Sequence, residues 1–461
     1  MAEPGTPAWW LDRLHRQLVV RRPAMDVLQR YADGDHDDPL VAERASRAFR
    51  RILGLSKTNL TGLVVEATAE RLAVQGFRFG DNPDADADAW RIWQTSDFDA
   101  DSETAIIAAL TFGRAFVSVE PTDDGPRLYA EDPRQVIVAY QPGNRRIRTA
   151  ALKEWTDDWT GQQQATLYLP ERVYKFRQDP AGTVEVGASG DGTATRWTLR
   201  GPVESNPLGE VPFLELRNRA RIDGEVMSEI EDILDTQDRA NHIALNALIA
   251  AEYGAFRQKW ATGLEIPRDP GTGLPVEPFD VAVNRILIAE DPESRFGDFN
   301  ATDLDPYINL FESTVRHMAA VSRTPASYLL GQLANLSAEA LAAAEAGLVK
   351  KAARRAKGYE SAFEGAMRLA FRSMGDPRGF AVTAETVWAN MEIKSWAQAA
   401  DAAVKLTQAG VIPPQQARED LGYSETQRQR MDAWAADADS LSALTATLEQ
   451  QVNGFAPTAN G

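Results

Sequence analysis

Five prolines, Pro267, Pro270, Pro275, Pro278 and Pro292, crowd into residues 261–302, between two stretches that each read as one long helix. Proline lacks the N–H that a helical bond needs, and its ring collides with the preceding turn. The segment therefore cannot continue either helix and forms a compact insert of about 40 residues. Arg285-Ile286-Leu287-Ile288-Ala289 reads as a strand inside it. On the N-terminal side, Ser228-Glu229-Ile230-Glu231 has the form of a capping box, with Ser at N-cap and Glu at N3. The helix it opens is predicted to reach about Gln258, roughly 46 Å at 1.5 Å per residue. Ile230, Ile233, Leu234, Ala244, Leu248 and Ala251 form its apolar stripe, and Gly254 weakens its end. On the C-terminal side, Asp305-Pro306 starts the second helix as N-cap and N1 proline. It ends near Arg323, before Thr324-Pro325.

The rest of the chain is α+β, predominantly helical. Trp9 to Ala32 carries Leu11, Leu14, Leu18, Val19, Met25, Val27 and Leu28 at helical spacing, and Pro23 is expected to break it in two. Asp33 to Pro39 is a turn. Asn59 to Val74 reads as a second amphipathic helix, and Trp90 to Leu110 as another. Between residues 76 and 220 the pattern is mostly short strands: Ala115–Val119, Arg127–Tyr129, Val136–Tyr140, Ala165–Leu169 and Glu171–Phe176, with a Gly-rich hairpin tip over Gly182–Thr195. Ser337 caps a very long helix to about Met374, built of strong helix formers and stopped by Gly375-Asp376-Pro377. A short strand, a helix over Ser395–Ala409, the turn Gly410-Val411-Ile412-Pro413-Pro414 and further helix to about Gln451 follow.

Composition narrows function more than fold. The chain has 461 residues, no cysteine and a net charge of −18. Without cysteine there is no disulfide and no thiolate metal site. No basic segment with an apolar core marks a signal peptide, and no apolar run approaches a membrane span, so the expectation is a soluble intracellular chain. A conventional DNA-binding domain is basic because its cations neutralise phosphates; this chain is not one. The charge serves solubility, or belongs to a protein that must not adhere to an anionic partner.

No catalytic constellation is found. Gly54-Leu55-Ser56-Lys57-Thr58 lacks the glycines of a phosphate-binding loop and reads as a helix linker. Gly187-Ala188-Ser189-Gly190 misplaces the second glycine of a nucleophile elbow. His15, His36, His242 and His317 are scattered, with no partner at metal-ligand spacing. The acidic runs Asp84–Asp88 and Asp97–Asp101 lack the glycine and glutamate of a calcium loop and read as solvated loops. No metal or cofactor is therefore implied. Lys350–Lys357 is the strongest basic run; it fits a phosphate contact, the polar face of a long helix, or pairing with acids in an oligomer.

The order of these pieces resembles the portal proteins of tailed bacteriophages, of the siphophage type, over roughly residues 10–435. Tyr31-Ala32-Asp33-Gly34, Arg71 to Phe77, Trp93 to Phe98 and Gly113 to Val117 carry it in the first half. The most specific block is Asn206-Pro207-Leu208-Gly209-Glu210-Val211-Pro212 with Asn218-Arg219 and Ser228-Glu229-Ile230. Thr324 to Gly331 with Asn335, Ser337 and Glu339-Ala340 forms another, and Asp401 to Leu406 with Ala409 to Pro413 closes the series. The resemblance implies a portal fold: wing (1–225), first stem helix (226–260), clip (261–302), second stem helix (303–323), tunnel loop (324–337), long helix returning to the wing (338–379), crown (380–451) and a disordered tail (452–461). It implies a dodecameric ring of this chain at one capsid vertex, assembled in the host cytoplasm. Its partners would be the large subunit of the terminase, a head-completion adaptor, capsid and scaffolding proteins, and passing duplex DNA without sequence specificity; no membrane is involved. The clip residues Arg268, Asp269, Arg285 and Glu290 are then candidates for docking terminase and adaptor. A capsid or tail component built on similar helices, and an enzyme with a dispersed site, are the competing readings.

Within that resemblance the charges acquire a purpose. Residues Glu225 to Trp260 hold seven acids (Glu225, Glu229, Glu231, Asp232, Asp235, Asp238, Glu252) against three bases (Arg239, Arg257, Lys259). Glu229, Glu231, Asp232 and Asp235 either face the lumen and keep it from adhering to DNA, or solvate an exposed helix face or bridge subunits. Tyr328, Leu329, Gln332 and Asn335 in the tunnel segment are uncharged, and touch a moving phosphate backbone without forming salt bridges that must then break. They are equally compatible with an ordinary helix connector.

Overall fold

The computed structural model describes residues 3–39, 52–80, 85–178, 185–188, 194–255, 259–262, 269–273, 293, 295–298, 303–331, 338–392, 396–423 and 427–438. The chain forms two units. The larger contains Met1–Asp35, Asn59–Leu234 and Ala319–Gly461; the smaller contains His36–Thr58 and Asp235–Met318.

The larger unit begins with α1 (Pro7–Asp33), capped by the Thr6 hydroxyl and ended by Gly34 at φ +83°. Pro23 does not divide it. The lost backbone bond is outweighed because buried side chains lie on both sides, Leu11, Leu14 and Leu18 before it and Met25 and Tyr31 after it. Arg22 adds hydrogen bonds to Arg134 O and to Glu154, both at 2.8 Å. The leucines pack on Ile137, Leu152, Leu167, Phe176 and Trp197 of an antiparallel sheet.

Before that sheet come α2 (Leu60–Ala69), β1 (Val74–Phe79), α3 (Ala87–Thr95) and α4 (Phe98–Phe112). The helix expected over Asn59–Val74 therefore stops at Ala69, and Val74 already belongs to a strand. The helix expected over Trp90–Leu110 is two helices, broken at Asp97, which adopts φ +52°. Next come β2 (Arg114–Thr122), β3 (Gly125–Glu131), β4 (Val136–Gln141), β5 (Asn144–Thr156), β6 (Gln163–Tyr168), β7 (Arg172–Gln178), β8 (Glu185–Ala188), β9 (Ala194–Leu199), β10 (Glu204–Ser205) and β11 (Phe213–Arg217). The expected strands fall on β2, β3, β4, β6 and β7, while β5 is not among them; the hairpin tip expected over Gly182–Thr195 lies partly outside the described residues. The larger sheet has the order β4-β5-β6-β7-β9-β8, with β10 on β7; the smaller is β11-β2-β3. Phe116, Val136, Val138, Ala151, Val211 and Phe213 form a core joining the two sheets.

The smaller unit is built on α5 (Leu234–Ala255), the strand pair β12 (Lys259–Thr262) and β13 (Arg295–Asp298), and most of α6 (Asp305–Ser322). α5 is described to Ala255, its expected end near Gln258 lies outside the described residues, and by Lys259 the chain is in β12, where Lys259 pairs with Asp298. That pairing draws together the two ends of the proline-rich insert. Pairings of this kind, 39 residues apart, are invisible to local periodicity. The expected strand Arg285–Ala289 lies outside the described residues. The residues before α2 return to α5: Gln237 donates to Thr58 O at 2.7 Å, and Asn241 meets His36 Nδ1 at 3.0 Å.

Back in the larger unit, α7 (Ala326–Leu330) precedes α8 (Ala338–Ser373), a helix of 36 residues and so about 54 Å long. Leu348, Ala352, Tyr359, Phe363, Ala366 and Ala370 bury its inner face. Gly375 at φ +73° follows its end. β14 (Ala384–Trp388) pairs antiparallel with β1, Phe77 opposite Thr386, across some three hundred residues of sequence. Trp93, Phe98 and Phe363 meet edge to face beneath them. α9 (Trp396–Gln408) and α10 (Pro414–Asp420) complete the named elements.

Candidate channel segment and its buried anchors

The residues just before α5 and at the end of α6 converge on two side chains of α8. Asn218, fully buried after β11, donates to Met227 O at 2.8 Å and to Glu229 Oε1 at 2.9 Å, and accepts from the Tyr359 hydroxyl at 3.0 Å. Glu229 N donates to Leu110 O at 2.8 Å. Gly113, at φ +81°, lets Met227 approach so closely that a Cβ there would lie 2.9 Å from the Met227 carbonyl carbon. The Glu229 carboxylate thus enters the protein, where it pairs with Lys351 at 3.2 Å and with Arg355.

This geometry corrects the capping box. Ser228 accepts from Ile230 N at 3.1 Å, a single 3₁₀ turn follows over Glu231–Ile233, and the α-helix begins only at Leu234. A carboxylate drawn inward by two cations sets the backbone here, not helix-start chemistry. Glu229 is 5% exposed, so it leaves the set of exposed acids to which Glu231, Asp232 and Asp235 belong. Asp232 also pairs with Arg219 at 2.6 Å.

Lys351 has a second role. Its ammonium donates to Ser322 O, the last residue of α6, at 3.0 Å. One buried lysine therefore holds both the segment leading into α5 and the segment leaving α6. Burial opposes the charge of Glu229, but Lys351 and Arg355 outweigh it and hold the carboxyl below its ordinary range. Burial pushes the Lys351 ammonium down against the pull of Glu229, and burial beside Glu229 raises the Tyr359 hydroxyl well above its ordinary value. The basic run Lys350–Lys357 thus spends Lys351 and Arg355 inside the chain.

A second anchor fixes α7. Arg71, buried just after α2, donates to Met391 O at 2.8 Å and to the Tyr328 hydroxyl at 2.9 Å, and pairs with Glu345 of α8 at 3.3 Å. Arg323 at φ +55° turns the chain out of α6, and Gly331 at φ +64° ends α7. Tyr328 is half-buried with its hydroxyl engaged, and Leu329 is buried. Gln332 and Asn335 lie outside the described residues. In the insert, Asp269 accepts from Gly271 N at 2.7 Å and Thr272 N at 3.1 Å; Arg268, Arg285 and Glu290 lie outside the described residues.

The sequence reading named Asn218 and Arg71 only as part of the resemblance, and missed Glu345 and the inward turn of Lys351 and Arg355. A signal existed. Lys351 and Arg355 are spaced i,i+4 beside the stripe Leu348, Ala352 and Tyr359, a spacing that aims both at one acceptor. The acidic runs also changed meaning: Asp86 caps α3, accepting from Asp88 N and Ala89 N, and pairs with Arg378. Among the described residues no group of His, Cys, Asp and Glu converges as metal ligands do, and no helix is long and apolar enough to cross a membrane.

The family model described as phage portal protein, SPP1 Gp6-like, matches residues 12–442, and so takes in both helices, the insert and both anchors. The chain belongs to this portal protein family. Two portal proteins are similar to it: that of Mycobacterium phage D29, 32% identical with 81% of this chain and 77% of that protein covered, and that of Mycobacterium phage L5, 31% identical with 88% and 83% covered. Among solved structures, a chain from the virion of the native gene transfer agent particle aligns with a TM-score of 0.45 at 13% identity. A chain from the neck of that particle, computed with C12 symmetry, aligns with a TM-score of 0.43 at 13% identity. Each alignment covers 88% of this chain and 99% of the other. Portal proteins are structural components of the phage particle, and membership places this chain among them.

Proposed function

We propose that copies of this chain form a closed ring, a dodecamer in the virion, through which the terminase drives DNA into the capsid and through which the genome later leaves. The portal family match across residues 12–442 carries the reading. On it, residues 1–225 are assigned to the wing, 226–260 and 303–323 to the stem, 261–302 to the clip, 324–337 to the tunnel loop, 338–379 to the helix returning to the wing, and 380–451 to the crown. The anchoring of both stem roots on Lys351 supports it, because a conduit wall has to resist the axial load of a moving duplex. Electron microscopy of the purified protein is expected to show rings with a central hole. A monodisperse monomer at high concentration refutes the reading.

The exposed acids Glu231, Asp232 and Asp235 are assigned to the lumen. Duplex DNA carries about one negative charge per 1.7 Å of axis, so a basic wall would retain it at each step. Tyr328, Leu329, Gln332 and Asn335 are assigned to the segment nearest the duplex, and Arg268, Asp269, Arg285 and Glu290 to docking of the terminase and then the adaptor. Charge-neutral substitution of Glu231 and Asp235 together is expected to slow packaging; an unchanged rate counts against the lumenal assignment.

A further inference from the structure

Six arginines line one groove of roughly 610 Å³ between β5, β11 and α8: Arg145, Arg146, Arg148, Arg217, Arg368 and Arg372. Two carboxylates share it, Glu210 and Glu215. Glu210 pairs with Arg148 at 2.8 Å and with Arg372, and Glu215 pairs with Arg217 at 2.9 Å. The other three cations have no carboxylate partner within the groove lining. Among the described residues Arg146 has no carboxylate partner, Arg145 reaches only Ile222 O at 3.4 Å, and the carboxylate beside Arg368, Glu364, stands 3.9 Å away. Six positive charges less two negative leave +4 on the lining of a chain whose net charge is −18. Burial depresses the Arg148 guanidinium against the pull of Glu210, and Arg372 and Arg368 press it further down. The groove holds more cations than it neutralises.

Exposed apolar side chains stand beside two of its arginines. Ile222, whose carbonyl accepts from Arg145, is fully exposed, and Phe380, which is 70% exposed, lies under Arg372 with the guanidinium carbon 4.8 Å from the ring centre. Phosphates need donors and have no use for exposed isoleucine and phenylalanine. Arginine set among exposed apolar side chains is instead the composition of protein interfaces.

We propose that this groove seats the acidic start of α4 from a second copy of the chain. Asp97, Asp99, Asp101 and Glu103 supply four carboxylates there, and among the described residues none of them forms an ion pair. Four negative charges match the four in excess. A ring of identical subunits uses head-to-tail contacts, in which two different surfaces of the chain meet. The inference rests on the ring reading and adds the surfaces that close it.

The test is charge reversal and restoration in the full chain, read by mass photometry and electron microscopy, with circular dichroism melting to confirm folding. Arg146→Glu with Arg368→Glu is expected to abolish rings, and the milder Arg146→Gln with Arg368→Gln to raise the concentration needed for assembly about tenfold. Adding Asp99→Lys and Glu103→Lys to the reversed chain is expected to restore rings, since the two introduced glutamates then meet two lysines while the unchanged arginines keep Asp97 and Asp101 as partners. Undiminished rings in the folded reversed variant overturn the proposal, as does loss without restoration. Normal rings that bind short duplex DNA less well also overturn it, and assign the groove to phosphates. A wild-type chain that stays monomeric defeats the ring reading itself, a result distinct from these.

Discussion

Glu229 neutralises one of two buried cations and orients both. Removing it leaves Lys351 and Arg355 facing each other without a counter-ion. Glu229→Ala is expected to lower the free energy of unfolding by about 3–5 kcal/mol, and urea denaturation measures it. Its pH signature has a defined sign. The folded carboxyl titrates below its ordinary 4.5, so its stabilisation is present above that value and is lost as pH falls through the lower folded one. Acid should therefore destabilise the wild type more steeply than Glu229→Gln. Glu364 on α8 runs the other way. Burial raises it to about 7, helped by Glu360 and Glu385 and opposed by Arg368 and the Thr386 amide. The folded state then holds a proton that the unfolded state has released, so stability falls as pH rises from about 4.5 to about 7. Glu364→Gln is expected to flatten that limb, seen as a smaller difference in melting temperature between pH 5 and pH 8.

Elements in this chain are set by packing where packing and propensity disagree. α1 runs through Pro23 because Leu18 and Met25 on either side are buried. Pro23 itself is exposed, so replacing it loses no contact. Pro23→Ala is expected to stabilise the chain by about 1–3 kcal/mol, measured by thermal unfolding. α7 is the opposite case, five residues that cannot be stable alone and are held by Arg71. Arg71→Ala removes the bond to Tyr328 and leaves the buried Glu345 without its cation. Hydrogen exchange over residues 326–330 is expected to rise sharply while that of β4 to β6 stays unchanged; equal protection in the variant refutes the anchoring role.

For the molecule as a whole, the charge of −18 and the excess of arginine over carboxylate in one groove belong together. On the proposed contact, ring formation covers the cations of that groove. Assembled rings are therefore expected to retain short duplex DNA weakly, with a slope of log affinity against log salt near zero. Filter binding across a salt series measures it, and a steep negative slope would mean that several phosphates are being neutralised. The same result would also remove the argument for an acidic lumen.

Local chemistry was enough to find what is local. The prolines of residues 261–302 separate two helices, the strong helix formers of residues 338–373 make one helix, and the residue pattern marks β2, β3, β4, β6 and β7 but not β5. Together with the ordered motifs they also carried the portal resemblance. Other features depend on partners far away in sequence. Val74 is a strand residue only because β14 pairs with β1, and Lys259 belongs to a strand only because Asp298 stands opposite it. Ser228-Glu231 has the letters of a capping box, yet Lys351 and Arg355, more than a hundred residues on, turn Glu229 inward. A buried ion pair gains its strength from exclusion of water, and that exclusion exists only once the elements have packed. Pattern and propensity decide which elements form, whereas burial decides which charges become anchors and which remain on the surface.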